Sequence, residues 1–195
     1  MVKRIPEVLT AQEQRDLLAQ PNPRYPTGQR NRTMLRFMLD TGLRVAEVVA
    51  LTWRDIDLMT GKLHVKRGKG ARDRILWVNE TALDALRSWR ERQAEEVGEC
   101  PSHVFTSLKG EPLSTRYVQQ MVKRYRERAG IEKQVTPHTL RHSYATDLLR
   151  ETKNIRLVQK ALGHSSLATT QIYTHIVDDE LEDALRSFRR NEEPS

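Results

Sequence analysis

A single cysteine, Cys100, is present among the 195 residues. No intrachain disulfide or cysteine-rich metal cage can be built from it, so a reducing, intracellular setting is expected. Nowhere does an apolar run approach the roughly 18 residues that span a bilayer. The opening Met1-Val2-Lys3-Arg4-Ile5-Pro6 also lacks the apolar stretch of a secretory signal. The expectation is a soluble, unprocessed, cytoplasmic chain with no membrane partner. A Walker-type glycine-rich phosphate loop is missing too, which argues against nucleotide hydrolysis as an energy source. His64, His103, His142 and His175 have no partner spacing of the kind a metal site needs, and no cofactor is expected.

What the chain has in excess is positive charge. Against 26 acidic residues stand 33 Lys and Arg, a formal net charge of +7, which favours a polyanionic partner without identifying it. The length suits one well-buried core.

Periodicity and capping signals predict a mostly helical α+β fold. Thr10 followed by Glu13 forms a capping box for a first short helix, and a loop through Gly28 is expected after it. Met34, Leu35, Met38 and Leu39 recur at helical spacing until Thr41-Gly42 stops them, and Val45, Val48, Val49 and Leu51 mark the next helix. Arg44 and Glu47 then fall three apart on one face. Leu63-His64-Val65 and Ile75-Leu76-Trp77-Val78 are short β-prone runs joined through a basic segment, a hairpin. Asn79 and Ser114 cap two further helices, the second with Val118, Met121, Val122 and Tyr125 inward and Arg116, Gln120, Lys123 and Arg124 outward. Thr136-Pro137 opens a helix that sets His138 and Arg141 three apart, Asn154 opens a short one closed by Gly163, and Leu181, Leu185 and Phe188 belong to a last amphipathic helix. Trp53, Trp77 and Trp89 are expected in the core.

Arg44, His138, Arg141, His164 and Tyr173, two arginines, two histidines and a tyrosine in this order, point to phosphoryl transfer on DNA. A phosphodiester in transit spreads negative charge over its nonbridging oxygens, which guanidinium forks can clamp without a metal ion, and a tyrosine beside such a clamp is a candidate nucleophile. Taken singly, each residue has an ordinary structural role: an exposed ion pair for Arg44 and Glu47, a loop charge for Lys69, satisfied histidines, a packed tyrosine. Their joint occurrence changes the odds.

Thr41-Gly42-Leu43-Arg44-Val45-Ala46-Glu47, Gly68-Lys69-Gly70, His138-Thr139-Leu140-Arg141-His142, and Leu162-Gly163-His164 followed by Thr170-Gln171-Ile172-Tyr173 together resemble the tyrosine recombinases, the phage integrases and Xer-type resolvases, over nearly the whole chain. The resemblance implies that family's catalytic domain, the DNA breaking-rejoining fold, over residues 1–177, with a C-terminal helix and tail over 178–195 that either docks on a neighbouring subunit, as family tails often do, or folds back on its own domain. Family members usually carry a helical core-binding domain N-terminal to this one, and the expectation is that these residues do not include it, as either an excised catalytic domain or a naturally short enzyme. Catalytic roles carry over to Arg44, Lys69, His138, Arg141, His164 and Tyr173, with Glu47 orienting its neighbours. Lys66, Arg67, Arg72 and Arg74 on the hairpin become phosphate contacts, and the helix with Arg116, Gln120, Lys123 and Arg124 enters the major groove.

The reaction implied is site-specific recombination or integration, of the sort mobile elements use. Tyr173 attacks in line, a 3′-phosphotyrosine preserves the bond energy, and neither metal nor ATP is consumed. Partners implied are double-stranded DNA, a homotetramer on two sites, and accessory DNA-bending proteins. Two other readings compete: a type IB topoisomerase relaxing supercoils as a monomer, and a DNA-binding regulator that never cuts. Loss of either clamp arginine is expected to cripple cleavage while leaving the fold intact.

Overall fold

A computed structural model describes residues 7–66 and 73–163. Seven helices and one hairpin lie within them: α1 Ala11–Ala19, α2 Pro26–Thr41, α3 Val45–Ala50, β1 Lys62–Val65, β2 Arg74–Trp77, α4 Glu80–Val97, α5 Thr115–Arg128, α6 Pro137–Thr152 and α7 Ile155–Leu162. This is the mostly helical α+β fold expected. The termini follow the predicted chemistry: Thr10 and Glu13 complete a capping box, Asn79 and Ser114 accept from the third amide of their helices, and Thr136 caps α6 with Pro137 at its first position.

Helix α2 is the central element, packed against α1, α4 and α6. It carries Met34, Leu35, Phe37 and Met38, all essentially inaccessible, and Phe37 meets Phe105 with ring centroids 6.0 Å apart. Burying each such side chain contributes about 1.5 to 3 kcal/mol. Helix α5 lies on the same core through Val118, Met121, Val122 and Tyr125. Its register against α2 is set by polar contacts as well. The buried Arg30 guanidinium donates to the Thr106 carbonyl at 2.8 Å, to Asn31 Oδ1 and to the Tyr117 hydroxyl, and Asn31 donates to the Tyr125 hydroxyl at 3.1 Å. These contacts leave Arg116, Gln120, Lys123 and Arg124 on the opposite, exposed face.

Three local expectations are corrected. Gly28 lies inside α2, because Pro26, with its fixed φ and missing amide, starts the helix before it. Trp77 is 68% exposed, whereas Trp53 and Trp89 are buried. The strands pair antiparallel with Lys62 opposite Trp77 and Val65 opposite Arg74, and β2 alternates buried and exposed, so Leu76 and Arg74 point inward and Trp77 outward. Arg44 and Glu47 do not share a helical face. Arg44 is the extended residue before α3, and the Glu47 side chain reaches back to accept its amide at 2.8 Å.

Gly42 makes that corner possible. It ends α2 at φ +60°, and a Cβ there would stand 2.2 Å from Cδ1 of Tyr144 on α6. Gly42→Ala is therefore expected to destabilise the chain by at least about 2 kcal/mol through left-handed strain and overpacking. A thermal melt checks this, and an unchanged midpoint would refute it.

Candidate active site

Four segments converge around the α2–α3 corner: the extended Leu43-Arg44 step, the loop end of the hairpin strands at Arg74, the start of α6, and the end of α7. Arg44 leaves the corner with a side chain 40% exposed. A cleft of about 510 Å³ opens beside it, lined by Arg44, Glu47, Thr52, Asp55, His64 and Lys66. A second, of about 360 Å³, lies between α5 and α6 and is lined in part by Val45, Gln119, Lys123, Gln134 and His138. His138 is exposed at the second position of α6. Cationic groups thus face open space on both sides of the Arg44–Val45 step.

Arg141 is placed differently. It is buried, and its guanidinium donates to the Gly42 carbonyl at 2.6 Å and to the Leu162 carbonyl at 2.9 Å. One fork therefore joins the residue two before Arg44 to the residue two before His164. This qualifies the expectation that either arginine could be lost with the fold intact. Removing Arg141 would take a donor from the Gly42 and Leu162 carbonyls and loosen the tie between the two helix ends.

Glu47 is the anionic centre of the cluster. Its carboxylate takes both ends of the Arg74 fork, at 2.8 and 2.9 Å, together with Nη1 of Arg44 at 3.3 Å and the Arg44 amide. Burial alone would raise its pKa. The hydrogen bonds from Arg74 and the Arg44 amide, with the charges of both guanidinium groups, overcome that and hold it at about 2. At the same end of the hairpin, just past Val65, Asp55 binds Lys66 Nζ at 2.5 Å and accepts from the Thr52 hydroxyl at 2.6 Å, so Lys66 reaches the surface with its charge already engaged. Burial and the neighbouring charges of His138 and Arg141 lower the His142 pKa, which favours its neutral form.

Arg74 departs from expectation. It was expected to meet phosphate from an exposed hairpin. Instead it is 9% exposed, with its fork on Glu47 and its Nε donating to the Ala161 carbonyl at 2.9 Å. The strand's period of two turns it inward, where the Glu47 carboxylate receives its fork. Sequence reasoning also missed Asp55, His64, Gln119 and Gln134 as cleft residues. Only the Thr52 to Asp55 spacing, a capping-box pattern, could have flagged Asp55. Arg67, Lys69, Arg72, His164, Tyr173 and the 178–195 helix lie outside the described residues.

The profile of the phage integrase family matches residues 7–180. The chain belongs to this family. The tyrosine recombinase XerD of Halalkalibacterium halodurans is 39% identical over 188 residues, 95% of this chain and 62% of that protein. XerC of Xanthomonas campestris is 42% identical over 174 residues, 89% of this chain and 52% of that protein. The chain thus spans between half and two thirds of these relatives' length. Among solved structures, the XerA recombinase matches with a TM-score of 0.80 at 33% identity, over 96% of this chain and 66% of that one. The XerH recombinase bound to its difH substrate in a post-cleavage complex gives 0.79 at 29%, over 96% and 54%. The lambda integrase catalytic core, at 24% identity and a TM-score of 0.63, covers 80% of this chain and 91% of its own, a likeness of fold. The phage integrase fold therefore accounts for the mostly helical domain with its small antiparallel hairpin.

The depressed pKa of Glu47 makes a prediction about acid stability. The carboxylate's contribution is complete above its unfolded value near 4.5 and is lost as pH falls through about 2. A shift of this size corresponds to something on the order of 3 kcal/mol at neutral pH. Glu47→Gln should therefore lower stability near pH 7 and flatten the fall between pH 5 and pH 2, as read from urea midpoints across that range. A parallel pH dependence in parent and variant would contradict the assignment.

Proposed function

We propose that the protein is a site-specific DNA recombinase or integrase that cuts and rejoins strands through a 3′-phosphotyrosine, with neither metal nor ATP. The observation that carries this reading is the single network around Glu47 and Arg141. It gathers the Arg44 corner, the start of α6 with His138, the root of the segment bearing Lys69, and the end of the helix leading to His164. Family membership supports it, as do relatives named tyrosine recombinases and a XerH structure described as bound to its difH substrate.

In this mechanism Arg44 and Arg141 clamp the nonbridging oxygens, and His164 adds a hydrogen bond. The Tyr173 hydroxyl attacks phosphorus as its proton passes to His138. The P–O bond to the 5′ side breaks, and Lys69 protonates that departing oxygen. A 5′-hydroxyl from a second duplex then reverses the attack and releases Tyr173. Glu47 orients Arg44. The exposed face of α5, with Arg116, Gln120, Lys123 and Arg124, enters the major groove, while Lys66, Arg67 and Arg72 follow the phosphates. The working assembly is a cytoplasmic homotetramer on two duplexes, with the 178–195 helix docking between subunits and accessory DNA-bending proteins assisting.

Tyr173→Phe should abolish covalent DNA adducts while leaving noncovalent binding intact, as resolved by denaturing and native gels, and a surviving adduct would sink the assignment of the nucleophile. Arg44→Ala should slow cleavage by about two to three decades, since removal of one preorganised donor has that effect. Lys123→Ala should reduce the salt slope of DNA binding by about 1. Binding without nicking by the parent protein under every condition would reject the recombinase reading in favour of a regulator. Relaxation of any supercoiled plasmid without joining of sites would favour a topoisomerase.

A further inference from the structure

We propose that Arg74 is a positioning residue for strand cleavage: its fork holds the Glu47 carboxylate that orients Arg44, while its Nε holds the end of the helix that leads to His164. The proposal rests on the reading of Arg44, Lys69 and His164 as phosphate-handling groups.

Three observations carry it. Arg74 makes the final strand pair, opposite Val65, before the segment that contains Lys69, so any error in its placement is passed directly into that segment's root. Its fork shares Glu47 with Arg44, at 2.8 and 2.9 Å against 3.3 Å, and so the carboxylate that aligns Arg44 is itself held by Arg74. Helix α7 has only eight residues, too few to be stable alone. It is held on α6 by a small apolar cluster that includes Val158 and Leu162. Its last carbonyls carry partial negative charge, and two adjacent ones, of Ala161 and Leu162, accept from Arg74 Nε and Arg141 Nη2, each at 2.9 Å. Two arginines from different elements therefore fix the position of Gly163, the residue before His164.

The geometry needs a guanidinium. A lysine ammonium is a point charge that cannot meet both carboxylate oxygens in parallel and a carbonyl on a third side. Misplacement of reacting groups by about 1 Å can cost about a hundredfold in rate. Arg74 does this from a buried position, with its three nitrogens on Glu47 and the Ala161 carbonyl.

The test measures single-turnover cleavage of a nicked duplex by the full chain at saturating DNA, with affinity measured separately. Arg74→Lys should cleave about a hundredfold more slowly while the Kd for DNA stays within twofold. A second variant, Arg74→Gln combined with Glu47→Gln, replaces the buried pair by neutral amides and leaves no orphan charge. It should remain folded by thermal melt and still cleave at least tenfold more slowly. Arg44→Ala and Lys69→Ala serve as references. If they are slow while both Arg74 variants cleave at the parental rate, the proposal is overturned alone. If Arg74→Lys weakens DNA binding without slowing saturated cleavage, Arg74 is a phosphate contact and the proposal also falls. Parental rates in Arg44→Ala and Lys69→Ala would overturn the underlying reading together with it.

Discussion

The Glu47 carboxylate sits where water scarcely reaches, with a side chain only 10% exposed. A charge in that position destabilises a fold unless it is matched. Here it is matched by a parallel fork from Arg74 and by the amide and guanidinium of Arg44. The pair therefore does more than neutralise itself. It obliges β2, the α2–α3 corner and, through the third nitrogen of Arg74, the end of α7 to adopt one mutual arrangement. Loss of any one of these partners would leave a largely buried ion unpaired.

Arg141 supplies the second constraint. Donors of Arg141 go to the carbonyls of Gly42 and Leu162, two backbone groups where helices α2 and α7 end. Orphan carbonyls at a helix terminus need donors, and a guanidinium reaching between two termini satisfies both while fixing their separation. The two arginines expected to act as a pair are therefore unlike in their surroundings. Arg44 is half-exposed and borders a cleft, and Arg141 is buried and tied to the backbone. Surplus positive charge is likewise divided: Arg30, Arg74 and Arg141 are interior and knit elements together, whereas Arg116, Lys123 and Arg124 face solvent.

Helix ends were readable in advance because capping is local. Thr10 with Glu13, Asn79, Ser114, Thr136 with Pro137, and Asn154 each act through atoms within a few residues, and each caps the expected helix. Failures came where a local pattern had a tertiary answer. Trp77 looked like core because large aromatics usually are, but strand alternation put Leu76 inside and left Trp77 out. Arg74 looked like surface because it belongs to a basic run, yet its partner is Glu47, 27 residues away along the chain. Gly28 looked like loop, and Pro26 had already begun the helix.

The sequence by itself determined the mostly helical architecture with one small hairpin, the membership of a family whose motifs it carries in order, and the identity of the candidate chemical groups. These depend on periodicity, capping and residue type, all of which are local. Only the tertiary structure decided which cations are interior and which are exposed, because a charge's surroundings are set by three-dimensional proximity. Separations of 27 residues for Arg74 and Glu47, 87 for Arg74 and Ala161, and 99 for Arg141 and Gly42 leave no periodic trace in the chain.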